Sequence, residues 1–299
     1  MPSDVGVALS VVIVNYNTRE HLRGCLQCVE RSEGVELETL VVDNASDDGS
    51  ADMAAAEFPE VQLIRSPING GYAYANNLAL RQASGGYLLL LNPDTDFGPT
   101  ALAEMVHYLD AHPEAAAAGP RLLLPDGRLD LACRRGFPTP AVAFYRLFGL
   151  SYLFPTSPRF GRYNLTYLDP SVETEVDSVV GAFMLVRREA MAQVGLLDED
   201  FFMYGEDLDW AYRMKEQGWT IRYNPGVSVV HEKGASSRQR SQRTTVAFYR
   251  SMHLFHAKHF RARTFVPLNW LIVATIYLRM FWSLGKNALR PPAARRVAP

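Results

Sequence analysis

The sequence predicts an α/β fold in which a mostly parallel central sheet carries helices on both faces. Three observations predict it. Short, near-continuous apolar runs recur through the first half of the chain, as expected of strands buried on both faces. Helical patterns separate these runs, so consecutive strands are joined by crossovers and lie parallel. The runs end on polar residues, namely Asn15, Tyr16, Asp43 and the pair Asp94 and Asp96. The carboxyl ends of parallel strands are where such sheets hold their ligands.

The elements follow in order. Leu9 to Val14 is a β-branched run ending in Asn15-Tyr16-Asn17. Asn17 followed by Glu20 has the form of a capping box, which predicts a helix reaching about Ser32. Leu40 to Val42 ends at Asp43 and leads into the turn-rich segment Asn44 to Ser50, suited to start a second helix. Val61 to Ile64 is the third run, and Asn69-Gly70-Gly71 opens a helix to about Ala83. Tyr87 to Leu91 is the fourth, followed by Asn92-Pro93-Asp94-Thr95-Asp96 and a helix over Thr100 to Ala111. Cys133 to Thr174 is irregular and rich in Pro, aromatic residues, Arg and Gly. It reads equally as an acceptor-facing flap or as a surface excursion. Regular structure returns at Val176 to Val186, then a helix over Gly205 to Gln217 and two short strands, Ile221 to Tyr223 and Val227 to Val230, the latter ending at His231.

Composition narrows the function. With 299 residues, 48% hydrophobic, the chain can build a core without disulfides or structural metals. A net charge of −2 gives no basic excess, so nucleic acid is not an expected partner. Cys25 and Cys28 form a C-x-x-C inside a helical pattern, with no second close pair for zinc, and Cys133 stands alone. They read as ordinary cysteines in a reducing cytoplasm. Met1 to Gly6 lacks a signal pattern, in keeping with a cytoplasmic location. Phe265 to Leu284 is strongly apolar, interrupted by Arg279 and flanked by Arg261, Arg263, Lys286, Arg290, Arg295 and Arg296. It admits three readings: a core or dimer helix, an interfacial helix at the inner face of the plasma membrane, or a marginal span.

Several residues can carry chemistry. Asp94 and Asp96 form a D-x-D past an apolar strand, able to grip a hard divalent cation that neutralises a diphosphate. Gly205-Glu206-Asp207-Leu208-Asp209 places three acids at a helix start. One acid there is accounted for by the helix dipole. Three of them beside Phe201, Phe202, Tyr204 and Trp210 suggest a general base in a half-apolar cleft. His231, at a strand end, is suited either to a structural role or to metal ligation. Asn69-Gly70-Gly71-Tyr72 lets backbone approach a ligand at a helix start.

Five segments in order carry a family resemblance. They are Val12 to Asn17, Val41 to Ser50, Asn69 to Asn77, Asn92 to Asp96 and Gly195 to Asp209. Over about residues 7 to 260 the chain resembles the family-2 inverting glycosyltransferases of GT-A fold, and within them bacterial rhamnosyltransferase-like members that build surface polysaccharide or lipid-linked glycans. The resemblance implies one catalytic domain over 1–263, with a Rossmann-like nucleotide-sugar half over about 1–120 and an acceptor half over 121–263. Residues 264–299 form an apolar helix and basic tail beyond it. It implies a donor of dTDP-rhamnose or UDP-sugar type and a glycan or lipid-linked acceptor, with a homodimer as a further partner reading. Asp43 would recognise the base with Tyr16 beside it, and Asn15, Asn17, Asn69, Gly70, Asn77 and Asp94 would complete the donor site. Asp94, Asp96 and His231 would bind Mn²⁺ or Mg²⁺. Asp207 would be the general base, with Glu206 its rival. Two other functions remain open on the residues. A sugar nucleotidyltransferase would also use paired acids and a metal, but the Asn15 to Thr18 turn has no glycine and only Arg19 as a nearby base. A non-catalytic nucleotide-sugar-binding scaffold would not need Asp207.

Overall fold

The structure, a computed structural model, describes residues 7–232 and 241–290. The expectations for Met1 to Gly6 and for Arg295 and Arg296 lie outside these residues.

The N-terminal part has strands β1 (Leu9–Asn15), β2 (Leu37–Asp43), β3 (Gln62–Arg65) and β4 (Tyr87–Leu91). Helices α1 (Arg19–Glu30), α2 (Ser50–Glu57) and α3 (Tyr72–Leu80) connect them. β1 pairs parallel to both β2 and β4, and β2 parallel to β3. The apolar residues of β1 and β4 are buried almost completely, which is why the runs show no alternation. The Asn17/Glu20 capping box does not form. Thr18 is the N-cap of α1 and makes no side-chain cap bond. Asn17 takes a left-handed conformation (φ 52°) and its Oδ1 accepts from Asp47 N (2.8 Å).

The remaining strands are β5 (Thr95–Phe97), β6 (Ala115–Leu123), β7 (Thr174–Val176), β8 (Phe183–Arg187) and β9 (Thr220–His231). Helices α4 (Ala101–Asp110), α5 (Pro140–Leu147), α6 (Leu150–Leu153), α7 (Arg188–Val194) and α8 (Glu206–Glu216) accompany them. Among the described residues one sheet runs β3-β2-β1-β4-β8-β6-β9-β5, with β7 also on β9. Directions are mixed here: β8 is antiparallel to β4 and β6, while β6 and β9 are parallel.

β6 has no strand signal in its sequence, since alanine is a poor strand former. It forms because Ala115 to Ala118 are buried between neighbours that demand small side chains. A Cβ on its Gly119 would meet Val179 at 2.8 Å. The two short strands expected near 221 and 227 are one strand, β9, whose register against β6 shifts between Pro120 and Arg121, the bulge that lets a proline sit inside a sheet.

Helix α9 (Ser241–His259) packs Phe255 against Phe201, Leu208 and Tyr212, and a 3-10 turn at Arg261–Arg263 leads to α10 (Val266–Ala288). The apolar stretch is therefore helical. α10 rests on α9 through Ile276 and Met280 against Tyr249. Of its 23 residues only Ile276, Met280 and Asn287 are buried, so it is not a core helix.

Candidate active site

β1 and β2 are in register with Asn15 opposite Asp43, so both carboxyl ends open at one level. Beyond them lies a cavity of about 1490 Å³. Tyr16, Asn44, Asn69, Gly71 and Asp94 line it from the N-terminal part, and Asp130, Glu206, Asp207 and His231 from the rest of the fold. Asn44 secures the loop before α3: its Nδ2 donates to Asn69 Oδ1 (3.1 Å) and its Oδ1 accepts from Gly70 N (3.2 Å). Gly71 has φ 95°, and a Cβ there would meet Phe202 O at 2.3 Å. Only glycine lets this loop abut the segment before α8, where Tyr72 N donates to the same carbonyl (2.7 Å).

Five of the expected donor residues, Asn15, Asn17, Asp43, Gly70 and Asn77, do not line the cavity. Asn15 and Asp43 are buried and do not line the cavity. Asn15 Nδ2 donates to Asp43 Oδ1 (3.2 Å) and Ser46 Oγ (3.1 Å), and Ser46 N donates to Asp43 Oδ2 (3.0 Å). They tie the two strand-end loops together and support Tyr16 and Asn44. Asn17 also works within those loops. Asn77 lies elsewhere: its Nδ2 donates to Leu197 O (2.9 Å) and Glu199 Oε1 (2.8 Å), and its Oδ1 accepts from Leu197 N (3.1 Å). Its amide is fully used in fastening α3 to the 197–199 loop.

Asp94 sits in the turn before β5, not in the strand, so strand alternation does not place it beside Asp96. Asp94 Oδ1 is buried without a hydrogen-bond partner, 3.4 Å from His231 Nε2. His231 Nδ1 lies 3.1 Å from Asp130 Oδ2. Burial alone would lower the His231 pKa, but the Asp130 hydrogen bond and the nearby Asp94 carboxylate raise it to about 9. Asp96 is exposed, is absent from the cavity lining and accepts from the Cys28 thiol (3.2 Å). Asp94, Asp96 and His231 thus do not form a ready three-ligand cluster, and among the described residues no three His, Cys, Asp or Glu do. A divalent cation would nonetheless find the orphaned Asp94 oxygen there, and His231 Nε2 once that imidazole gives up its proton. Asp130, which also caps the 3-10 turn Leu131–Cys133, carried no distinguishing signal in the sequence.

The three acids at the start of α8 separate into different jobs. Asp209 is fully buried among Lys258 (2.8 Å), His259 (2.7 Å) and Arg213 (2.9 Å), and locks α9 onto α8. Asp207 Oδ2 accepts from Arg135 Nη2 (2.7 Å) and Gly181 N (2.9 Å), while Oδ1 accepts from Leu208 N (2.7 Å). Glu206 Oε2 is buried with no partner. Its pKa is pushed up to about 8, first by burial and then by the adjacent Asp207 carboxylate. Arg135 comes from the irregular stretch after Cys133 and was not marked by any motif. Cys25 and Cys28 are free, buried thiols; burial raises Cys25 to about 12, which removes any thiolate chemistry at neutral pH.

Parallel strand ends facing an acidic helix start across one cavity give the layout of the GT-A fold. The chain belongs to glycosyl transferase family 2, which it matches over residues 10–195; residues 168–288 match glycosyl transferase family group 2. It is 29% identical over 300 residues to N-acetylglucosaminyl-diphospho-decaprenol L-rhamnosyltransferase of Mycobacterium tuberculosis, covering 97% of this chain and 96% of that one. It is 24% identical over 230 residues to rhamnosyltransferase WbbL of Escherichia coli, 74% of this chain and 82% of that one. Among solved structures, the mannosyltransferase PcManGT from Pyrobaculum calidifontis, in complex with GDP-Man and Mn²⁺, superposes with a TM-score of 0.57 at 19% identity, covering 98% of this chain and 76% of that one.

Proposed function

We propose that this glycosyltransferase moves rhamnose, with inversion, from a nucleoside diphosphate donor to a hydroxyl of a sugar linked through diphosphate to a lipid. The carrying observation is the Asp207 carboxylate facing the same cavity as the strand ends. At about 1490 Å³ the cavity exceeds the usual range for one small ligand and has room for donor and acceptor together. The near full-length likeness to the mycobacterial rhamnosyltransferase supports the choice of sugar and acceptor.

In this reading Tyr16, Asn44 and Asn69 hold the nucleotide, with Asp43 and Asn15 behind them. Asp94 and His231 hold a divalent cation, Mn²⁺ or Mg²⁺, and Asp96 joins them only by giving up its bond to Cys28. That cation supplies charge neutralisation for the leaving diphosphate. Arg135 and Gly181 N fix Asp207 Oδ2, and Oδ1, bonded only to Leu208 N, keeps a lone pair to receive the acceptor's proton. Glu206, protonated at neutral pH, donates to an oxygen of the bound sugar.

The assay incubates the purified chain with dTDP-rhamnose and an N-acetylglucosaminyl-diphospho-lipid in detergent, with Mn²⁺ or with EDTA. Metal-dependent transfer with inverted anomeric configuration is the expected product. Retention, or donor breakdown without transfer to any lipid acceptor, refutes the scheme. Asp94→Ala should lose at least about tenfold in affinity for Mn²⁺ in the presence of dTDP, the penalty of removing a charged ligand. Undiminished Mn²⁺ binding to that variant would remove Asp94 from the metal site.

The same reading places α10 on the cytoplasmic membrane surface, near lipid-linked acceptors. Trp270 and Trp282 are 75% and 64% exposed, Arg261, Arg263 and Arg290 flank the helix, and Lys286 lies in its last turn. Aromatic residues between cations suit an interface. Exchanging both tryptophans for serine should lower co-sedimentation with anionic phospholipid vesicles by at least about tenfold, since each buried aromatic contributes about 1.5–3 kcal/mol. Unaltered sedimentation would place the helix elsewhere.

A further inference from the structure

Arg279 is the only charged residue between Val266 and Leu284. On a helix this exposed, a lone arginine has water available on most sides. It is instead half-buried and lines the catalytic cavity. Five arginines line that cavity, and their partners distinguish them. Arg135 is bound to Asp207, Arg128 to Asp126, and Arg146 donates to Asn164 while lying over the Tyr163 ring. Arg279 of α10, half-buried, and Arg243 of α9, exposed, have no carboxylate partner among the described residues. A guanidinium turned into a cavity without a counter-ion is a site for an anion, and its planar fork matches phosphate oxygens.

The position of these two arginines selects which anion. They lie on the wall formed by α9 and α10, whereas the strand ends that face the donor lie on the sheet. Ser251 of α9 donates to Met203 O (3.1 Å), which sets α9 directly against the loop leading to Glu206 and Asp207. A ligand with its phosphate on α9 and α10 would thus extend its sugar toward the acidic pair. On the outer side, apolar surface continues from the cavity: Phe148 and Tyr152 line it and are 59% and 66% exposed, and Leu278, beside Arg279, is 69% exposed.

Resting on the proposed reading of this chain as a transferase acting on a lipid-linked sugar, we infer that Arg279 and Arg243 form the subsite for the acceptor's diphosphate. The lipid leaves over the exposed apolar residues of α5, α6 and α10. Recognition of the acceptor then depends on its phosphates and not on its sugar alone, and α10 is part of the substrate site as well as a surface helix.

The test compares two acceptors in detergent micelles with dTDP-rhamnose: farnesyl-diphospho-N-acetylglucosamine and octyl N-acetylglucosaminide, which lacks phosphate. Arg279→Gln should raise the KM for the diphosphate acceptor by at least about tenfold, the loss expected for a charge-assisted contact. Its KM for the octyl glycoside and its affinity for dTDP should stay within about twofold of wild type on the same grounds. Arg279→Lys, which keeps the charge, should recover part of the loss, and Arg243→Gln should reproduce it in milder form. Binding to anionic phospholipid vesicles separates the alternative source of phosphate. If Arg279→Gln loses vesicle binding with an unchanged acceptor KM, the arginine serves membrane headgroups and the inference is overturned. An equal rise in KM for both acceptors overturns it too, by showing a general effect on folding or on the sugar site. If wild type transfers to the diphosphate acceptor and Arg279→Gln is unaltered, this inference alone fails. If wild type transfers to neither acceptor, the proposed function fails with it.

Discussion

Replacing Asp207 with Asn should lower single-turnover sugar transfer by about two to four orders of magnitude, the range for loss of a general base. Binding of dTDP and Mn²⁺ should be retained. Asn keeps an oxygen that can accept from Gly181 N but leaves the buried Arg135 without its carboxylate, so transfer is compared at a temperature where the variant is fully folded. Glu206→Gln is the informative companion. Gln mimics the protonated carboxyl that burial and Asp207 impose, so at neutral pH the variant should lose less than about tenfold, the cost of one altered hydrogen bond. The sign with pH follows. Glu206 is raised from 4.5 to about 8, so its protonated form and the stability that goes with it are complete below 4.5 and lost as pH rises through about 8. Wild-type transfer and Tm should both decline across that upper limb, and Glu206→Gln should flatten both declines. If Glu206→Gln is the inactive variant and Asp207→Asn the mild one, the two roles are exchanged. If neither loses transfer, the base lies elsewhere.

The contrast between these neighbouring acids marks how far sequence can reach. The chain signals where α8 begins and that acids gather there, because helix starts and apolar periodicity are local properties. It does not signal that Asp209 turns inward to Lys258 and His259, that Asp207 meets Arg135, or that Glu206 is left alone. Those outcomes depend on partners far along the chain, 72 residues away for Arg135. The same holds at the strand ends. β1, β2 and β4 are legible from their apolar runs, so the level of the site is legible too. Which polar residue faces the cavity is decided by the loop. Asn15 and Asp43 bond each other, leaving Tyr16 and Asn44 to face outward, and Asp94 falls in a turn that separates it from Asp96. Asn77 belongs to a polar motif, yet both sides of its amide are taken by the 197–199 loop. β6 was hidden for the opposite reason: its alanines fit a crowded position in the finished sheet and express no preference of their own.

The nearest structural dependency of the site is the buried pair of Arg135 and Asp207. Their side chains are 9% and 6% exposed, with 2.7 Å between Nη2 and Oδ2. Such a pair adds little when compared with an apolar replacement of both members, but removing one member leaves a charge stranded out of water. Arg135→Met should therefore destabilise the protein by about 3–5 kcal/mol. Denaturant unfolding would read this as a lower midpoint with little change in slope. Arg135 also donates to Val179 O (2.7 Å), so part of the loss comes from the segment leading to Gly181 and not from Asp207. A double-mutant cycle separates the two contributions. In the Asp207→Asn background Arg135 is already the stranded charge, so adding Arg135→Met relieves that penalty and should cost no more than about 1–2 kcal/mol, the scale of a lost hydrogen bond with its packing. The coupling between the sites is then the remaining 2–3 kcal/mol or so. A coupling near zero would mean that Arg135 serves the backbone around Val179 alone and that Asp207 is positioned by Gly181 N and its own helix. A large coupling, together with a loss of transfer in Arg135→Met measured at a temperature where the variant is fully folded, makes Arg135 the residue that aims the base at the acceptor.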